Sequence, residues 1–283
     1  MDLLNKLLES GIEKSEAKQE IKILFSEFKD DLNKIKEIVE IRSKTRKPLQ
    51  YILGKTHFMD FELKVNGNVF IPRPETEILV EETIRRISRK DDLYGRPKCH
   101  WEQGEGKPRP YKVLDIGTGS GCIAIALARK IPDIKIVAID INKEIINLAK
   151  ENAKNCDVEE KIKFKVCDVF SDDFEKLLLE NKFDLIISNP PYVINRNLQP
   201  ELKYEPKEAL FGNKINKSGM IYYERIIGLC RGDPCGRPKY DRPLALEIDP
   251  SLVDKIKKLL GTNNFEIVKD YNGFDRCLFV NFL

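Results

Sequence analysis

The chain has 283 residues and a nearly balanced charge: 49 lysines and arginines against 46 aspartates and glutamates give a formal net charge of +3 at pH 7. This balance argues against a protein that binds nucleic acid or an anionic membrane through overall charge, and no apolar run approaches bilayer-spanning length. Seven scattered cysteines, without paired C-x-x-C spacing, fit a reducing cytoplasm better than a disulfide framework. We therefore expect a cytoplasmic protein of one large or two modest domains.

Residues 1 to about 70 are mostly helical in pattern. Apolar residues recur at helical spacing in stripes that contain Leu7, Leu24 and Ile38, and Ser15 is the expected N-cap of the second helix. Such stripes are typical of the inward faces of a small helical bundle. We expect residues 1–70 to form this bundle and a linker, and the outer face of the bundle to bind a protein partner.

A glycine-rich turn follows the first strongly apolar strand. Residues 112–116 have the composition of a buried strand, and Cys122–Lys130 have the apolar pattern of a helix. A dinucleotide-binding fingerprint would place Gly or Ala at position 122, so the cysteine there weakens that interpretation. The pattern D-x-G-x-G-x-G instead resembles the cofactor loop of class I S-adenosylmethionine-dependent methyltransferases. The resemblance implies that the cofactor lies against Gly117, Thr118, Gly119, Ser120 and Gly121.

Two further predicted strands end in acids. The strand over residues 134–139 is followed by Asp140, and the strand over 161–166 is followed shortly by Asp168. Asp140 lies roughly twenty residues past the glycine loop, where an acid accepts hydrogen bonds from ribose hydroxyls. Asp168 is placed to reach an adenine amino group. Either acid alone is readily explained as a strand-end carboxylate, but several acids and a glycine loop at successive strand ends together favour a cofactor site.

The tetrapeptide Asn189-Pro190-Pro191-Tyr192 follows the apolar run 183–188 and so falls at the carboxyl edge of the predicted sheet, where open α/β sheets bind ligands. The Asn189 side-chain oxygen can accept one hydrogen of a planar NH2 group, and the Pro190 carbonyl can accept the other. The prolines restrict the backbone, so both acceptors are in place before the substrate binds. Tyr192 offers a flat face for stacking. A turn with two prolines has the same local pattern. We predict that Asn189, Pro190, Pro191 and Tyr192 are catalytic and receive the substrate.

The remaining pattern alternates strands and helices, which predicts an α/β fold with a mostly parallel sheet. The last two predicted strands, near 265–269 and 277–282, are joined by so short a link that they form an antiparallel hairpin. We expect the sheet to close with one antiparallel pair. Predicted late elements are helices at 142–155, 218–230 and 250–260, and a strand at 243–248.

Several segments together resemble the release factor glutamine methyltransferases, over nearly the whole chain. Besides the glycine loop and N-P-P-Y, they are 48–54 (P-L-Q-Y-I-L-G), 71–77 (I-P-R-P-E-T-E), 205–212, 269–270 and 275–276. The resemblance implies a class I, Rossmann-like methyltransferase domain over residues 71–283. It implies transfer of a methyl group from S-adenosylmethionine to the amide nitrogen (N5) of the glutamine in the G-G-Q motif of peptide chain release factors, with S-adenosylhomocysteine as product.

The same resemblance assigns roles to particular residues. Asp140, Asp168, Val169 and Asn189, with the glycine loop, would surround the cofactor, and Val169 stands where relatives often carry an aromatic residue. Arg73 and Pro74 would line the wall against which the glutamine packs, although a Pro-bracketed Arg before acids is also the start of a helix. We expect no metal, no membrane, no direct nucleic acid contact and a monomer.

Alternatives remain open. An enzyme acting on a glutamine of a ribosomal protein would share both major motifs, but 73–77 (R-P-E-T-E) favours a release factor. An adenine amino-methyltransferase acting on DNA or RNA also fits N-P-P-Y, yet it needs a basic groove or a target-recognition module, and neither is evident. A non-catalytic cofactor-binding protein is disfavoured by the intact glycine loop and Asn189.

Two stretches depart from this family pattern, at about 91–110 and 231–242, and both contain Gly-Arg-Pro-Lys. We interpret them as related peptides inserted in exposed loops and neutral for function. A zinc site formed by Cys99, His100, Cys230 and Cys235 is disfavoured, because this spacing is unlike common zinc patterns. Contact between the basic residues of the two inserted peptides and ribosomal RNA is a second alternative to a neutral role, and it is also disfavoured.

Overall fold

The computed structural model describes residues 2–29, 31–94, 110–192, 200–212, 218–230, 242–261 and 264–281. The segment 231–241 and most of 91–110 lie outside these ranges, and so do the zinc candidates Cys99, His100 and Cys235. Residues 91–94, assigned to the first insertion, instead continue a helix. Within the described ranges, no helix combines the length and apolar character needed to cross a bilayer.

The predicted helices and strands occur in the predicted order, and the structure adds two strands near residue 60 and the helices over 172–180 and 207–211. The helices are α1 (Leu3–Glu9), α2 (Lys14–Phe28), α3 (Leu32–Thr45), α4 (Leu49–Leu53), α5 (Pro74–Tyr94), α6 (Cys122–Lys130), α7 (Lys143–Asn155), α8 (Asp172–Glu180), α9 (Lys207–Phe211), α10 (Ile221–Cys230) and α11 (Val253–Leu260). The strands are β1 (Lys55–Phe58), β2 (Phe61–Lys64), β3 (Tyr111–Ile116), β4 (Ile134–Asp140), β5 (Ile162–Val166), β6 (Leu185–Ser188), β7 (Leu244–Glu247), β8 (Phe265–Lys269) and β9 (Asp275–Val280).

Over the residues that the structure describes, the large sheet has seven strands in the order β5-β4-β3-β6-β7-β9-β8. Strands β3 to β7 are parallel, which confirms the predicted α/β fold with a mostly parallel sheet. The predicted antiparallel hairpin of β8 and β9 is confirmed, but β9 lies between β7 and β8 and also pairs antiparallel with β7, so the sheet ends with two antiparallel pairs and not one. The carboxyl ends of β3, β4, β5, β6 and β7 therefore lie along one edge, where loops can converge on a ligand.

The first three helices have a core of their own, in which Leu7, Leu24 and Val39 are fully buried. The prediction of Ser15 as the N-cap of α2 is wrong: the cap residue is Glu13, and the Ser15 hydroxyl, inside the first turn, donates to the Glu13 carboxylate. Phe25, Leu32 and Ile41 are exposed, but the other residues of the three apolar stripes face this core. They pack helix against helix and leave the charged faces outward.

The expectation of a mostly helical pattern up to residue 70 is wrong for residues 55–64, which form an antiparallel β-hairpin of β1 and β2. The side chains of β2 alternate between buried and exposed, as period-two packing requires. The buried rings Phe58 and Phe61 belong to the core beneath the large sheet. The Asn152 side chain of α7 bonds both the N–H and the C=O of Lys64, at 2.9 and 3.0 Å. The linker therefore packs on the sheet-containing part of the chain.

Candidate active site

A cavity of about 590 Å³ opens at the carboxyl edge of the large sheet. Most of the residues that the sequence singles out lie on its wall, although they come from the ends of four different strands. These are Gly117, Thr118, Gly119, Ser120, Asp140, Asp168, Val169, Asn189, Pro190, Pro191 and Tyr192. The cavity thus joins the predicted cofactor loop and the predicted substrate corner in a single space.

Backbone hydrogen bonds from the first residues of the glycine loop fix the position of the loop. The N–H groups of Gly117 and Thr118 both donate to the Ile139 carbonyl at 2.9 Å, which fixes the loop on the end of β4. Gly119 has a φ of +55°, a conformation that side chains with a Cβ rarely adopt. The loop therefore exposes backbone to the cavity without side chains in the way.

Asp140 lies at the end of β4 and joins the glycine loop to the following helix. Its carboxylate accepts from the Gly119 N–H at 3.1 Å and from the Asn142 N–H at 3.3 Å. Burial raises the pKa of this carboxyl, and the hydrogen bonds from Gly119, Asn142 and Ile141 oppose that rise. Asp140 lines the cavity, and each of its oxygens keeps acceptor capacity, which suits the hydroxyls of a sugar.

The segment after β5, the strand next to β4, forms another part of the cavity wall. Asp168 accepts from the Phe170 N–H at 2.9 Å, and Val169 is buried and lines the cavity. The ring of Tyr222 also lines the cavity, and it packs edge-on against Phe170 with the ring centroids 5.2 Å apart. Tyr222 therefore adds an aromatic residue to the cavity that Val169 also lines, whereas the sequence pattern indicated only a smaller apolar residue.

The Asn189 side chain is part of a buried chain of hydrogen bonds. Its Nδ2 donates to the Thr76 hydroxyl at 3.1 Å, and this hydroxyl donates to Glu247 Oε2 at 2.6 Å. The Tyr192 hydroxyl donates to the other carboxylate oxygen, Oε1, at 3.0 Å. Burial raises the pKa of Glu247, and the hydrogen bonds from Thr76 and Tyr192 oppose that rise. Both ends of the N-P-P-Y motif are therefore tied to one carboxylate on β7.

The chain is similar to curated proteins named release factor glutamine methyltransferase. It is 38% identical over 258 residues to the protein of Fusobacterium nucleatum, an alignment that covers 88% of this chain and 64% of that protein. It is 36% identical to that of Flavobacterium psychrophilum, covering 87% of this chain and 79% of the relative. It is also 36% identical to that of Thermodesulfovibrio yellowstonii, covering 86% and 79%.

The chain belongs to the release factor glutamine methyltransferase family. The resemblance drawn from the motifs is therefore confirmed. A family model described as a methyltransferase domain matches residues 109–226, which hold the glycine loop and N-P-P-Y. The chain covers just under two thirds of the Fusobacterium relative and about four fifths of the other two.

Solved structures agree on the fold. The chain resembles a human methyltransferase 10 domain containing protein with a TM-score of 0.50 and 17% identity, covering 78% of this chain and 88% of that one. It resembles the hMettl16 catalytic domain in complex with MAT2A 3'UTR hairpin 6 with a TM-score of 0.52 and 15% identity, covering 87% and 82%. At these identities the likeness concerns the architecture alone, and it confirms the Rossmann-like methyltransferase sheet.

Three residues singled out from the family pattern lie beside the cavity rather than on its wall. Arg73 forms an ion pair with Glu205 and stacks over the Phe70 ring, with its guanidinium carbon 4.7 Å from the centroid. Pro74 is exposed at the start of α5, while Gly121 packs toward α7. Contact of these three residues with substrate or cofactor stays a prediction.

Sequence reasoning missed Thr76 and Glu247 as well as Tyr222. The first two are buried, Thr76 at 2% exposure and Glu247 at 1%. A signal for Glu247 was present, since an acid in the apolar strand Leu244–Glu247 needs a polar partner. Thr76 lies in the R-P-E-T-E segment that the sequence analysis singled out, but the substrate-binding role there was assigned to Arg73 and Pro74.

Gly121 gives a first prediction, on stability. A Cβ there would lie 3.1 Å from Ile125 Cδ1 and 3.3 Å from Ala149 Cβ, at a φ of +86°. Gly273 has a similar φ of +83° with nothing within 4 Å, so Gly273→Ala isolates the backbone penalty. We expect Gly121→Ala to lower the free energy of unfolding by roughly 1–3 kcal/mol more than Gly273→Ala, through crowding against α7. Urea denaturation of both variants measures the difference, and equal losses would contradict it.

Proposed function

We propose that this chain transfers a methyl group from S-adenosylmethionine to the side-chain amide nitrogen of the glutamine in the G-G-Q motif of peptide chain release factors. The observation that carries the proposal is the single cavity that joins the glycine loop to Asn189–Tyr192. Membership of the release factor glutamine methyltransferase family supports the choice of release factors as substrates.

The residues at the glycine-loop end of the cavity fit S-adenosylmethionine. The volume of about 590 Å³ falls within the range of roughly 300–1,000 Å³ that is typical of small-molecule sites. Asp140 offers acceptors for ribose hydroxyls, and Asp168 with Val169 and Tyr222 forms a partly polar, partly apolar wall suited to adenine. When bound, S-adenosylmethionine supplies a methyl carbon made electrophilic by its sulfonium sulfur, and leaves as S-adenosylhomocysteine.

The residues at the other end suit a carboxamide. The nitrogen of an amide is a weak nucleophile because its lone pair is delocalised, so orientation matters more than basicity. Asn189 Oδ1 and the Pro190 carbonyl are the acceptors that we assign to its two hydrogens. They stabilise the positive charge that develops on nitrogen as the new C–N bond forms, and they hold the group in line for displacement. The proton is lost from the alkylated nitrogen afterwards, when it has become acidic.

We also propose that residues 1–70 hold the body of the release factor, while residues 71–283 carry out the transfer. The helical bundle exposes four large apolar side chains on α2 and α3, each between 36% and 49% exposed: Ile23, Phe25, Leu32 and Ile41. These side chains are the contacts that we assign to the release factor.

The decisive experiment uses methyl-labelled S-adenosylmethionine with a release factor in two forms, unchanged and with the G-G-Q glutamine replaced by alanine. We expect label only in the unchanged form, because the site holds a carboxamide. A ribosomal protein substrate and an adenine-containing oligonucleotide are tested in parallel. Label on the replaced release factor, or preferential label on either alternative substrate, would overturn the proposal.

A further inference from the structure

The amide of Asn189 has two orientations of nearly the same shape, and only one suits catalysis. With Oδ1 toward the substrate, the side chain accepts a hydrogen of the glutamine NH2. With Nδ2 toward the substrate, two N–H donors face each other and the interaction becomes unfavourable. The site therefore needs an element that selects one orientation before the substrate arrives.

The hydrogen-bond chain that ends on Asn189 begins at a group that accepts. Glu247 accepts hydrogen bonds from two hydroxyl groups, Thr76 on Oε2 and Tyr192 on Oε1. Because the Thr76 proton is committed to Glu247 at 2.6 Å, the oxygen of this hydroxyl has only acceptor capacity left for Asn189, 3.1 Å away. That position must then hold Nδ2, so Oδ1 is left facing the cavity.

The chain of bonds is rigid as well as directional. Thr76 comes from the first turn of α5 and Glu247 from β7, and the two side chains are 2% and 1% exposed. The Tyr223 hydroxyl of α10 donates to the Glu247 backbone carbonyl at 2.9 Å, which adds a third element to the support. Burial strengthens such bonds and makes an unpaired member costly, so the network favours a single arrangement.

We propose that Thr76 and Glu247 are positioning residues that lock the Asn189 amide with its oxygen toward the substrate. This inference rests on the proposed function, since it explains how that site selects a group with two N–H hydrogens. Thr76 lines the cavity wall but acts through Asn189, and Glu247 acts through Thr76. The side-chain oxygen that receives the substrate is thus set by a carboxylate two hydrogen bonds away.

The test removes the Thr76 hydroxyl without changing the shape of the side chain. Thr76→Val is expected to lower kcat for release factor methylation by roughly tenfold, equivalent to about 1.4 kcal/mol in the barrier. The affinity for S-adenosylmethionine should stay within about threefold, because the glycine loop and Asp140 are untouched. Thr76→Ser restores the hydroxyl and should recover most of the lost kcat.

A matched control lies on the same helix. Thr83 is fully buried, and its hydroxyl donates only to the Leu79 backbone carbonyl, at 2.7 Å. Thr83→Val removes a buried hydroxyl at a distance from the cavity wall and should leave kcat unchanged. Where Thr76→Val does not fold, Thr76→Ala replaces it in the comparison with Thr76→Ser.

The outcomes separate this inference from the proposed function. If the unchanged enzyme does not label the release factor glutamine, the proposed function fails. If it does, the inference is overturned by a valine variant with the kcat of the serine variant, or by a loss confined to cofactor affinity. A loss of the same size in Thr83→Val would overturn it too, because removal of any buried hydroxyl would then suffice.

Discussion

Replacing Asn189 with alanine is expected to lower kcat by about 10²- to 10³-fold and to leave the affinity for S-adenosylmethionine within about threefold. The side chain provides one of the two acceptors that stabilise the charge developing on the substrate nitrogen, and this interaction is strongest in the transition state. Alanine also removes the hydrogen bond that Asn189 donates to the Thr76 hydroxyl, while the bond from Thr76 to Glu247 stays in place. Single-turnover kinetics with labelled cofactor, together with calorimetric titration of the cofactor, separate the two quantities.

Asp140→Ala is the matched contrast, because it removes a polar side chain from the other end of the same cavity. The Asp140 carboxylate holds Gly119 and Asn142 and is assigned to the ribose hydroxyls. Removal of this carboxylate should mainly lower the affinity for the cofactor, by roughly 10- to 100-fold, as expected for hydrogen bonds to a charged group. If Asn189→Ala weakened the cofactor as much as Asp140→Ala does, or turned over normally, Asn189 would have no place in the transfer step.

The parts of the site that follow from local sequence are those at strand ends. Central parallel strands such as β3 and β6 are buried on both faces and are therefore continuous apolar runs, which makes their ends visible. The residues after them, Gly117 and Asn189 among them, necessarily meet at one edge of the sheet. This topological rule places both motifs around one cavity without any knowledge of contacts.

The parts that do not follow from local sequence are contacts between distant segments. Thr76 and Glu247 are 171 positions apart, and neither position has a local pattern that indicates the other. The insertion of β9 between β7 and β8 is decided by pairing across the sheet, and a short link predicts only that β8 and β9 pair with each other. The β1–β2 hairpin was missed because its four-residue strands are too short for a clear period.

A second large effect is expected from Arg42→Ala, this time on stability. Arg42 is 1% exposed and joins the helical bundle to the segment that follows N-P-P-Y. Its guanidinium bonds Glu20 at 2.9 Å and Glu16 at 2.8 Å, both on α2, and Glu201 at 3.3 Å, in the turn before the cavity-lining α9 residues. Removal of one member of a buried ion pair leaves the other charge unpaired, and typically costs about 3–5 kcal/mol.

The pH dependence of this loss has a definite sign. Burial raises the pKa of Glu20 to about 7 even beside Arg42, and the pKa rises further without that cation. An acid with a raised pKa in the folded state is tolerated while it holds a proton, and its destabilising effect grows as pH rises through that pKa. We therefore expect Arg42→Ala to lose more stability at about pH 8 than at about pH 5.

Lys44→Ala on the same helix is the control, since the Lys44 side chain is 72% exposed and pairs with Glu40 at 2.7 Å. An exposed pair of this kind contributes little, so this variant should lose less than about 0.5 kcal/mol, with no trend toward high pH.

Hydrogen exchange of the α2 and α3 amides measures the stability of both variants in the intact chain. A small, pH-independent loss for Arg42→Ala would show that water reaches Glu20 and that the bundle does not depend on this cation. A large loss confined to high pH would instead identify Glu20 as the charge that Arg42 neutralises.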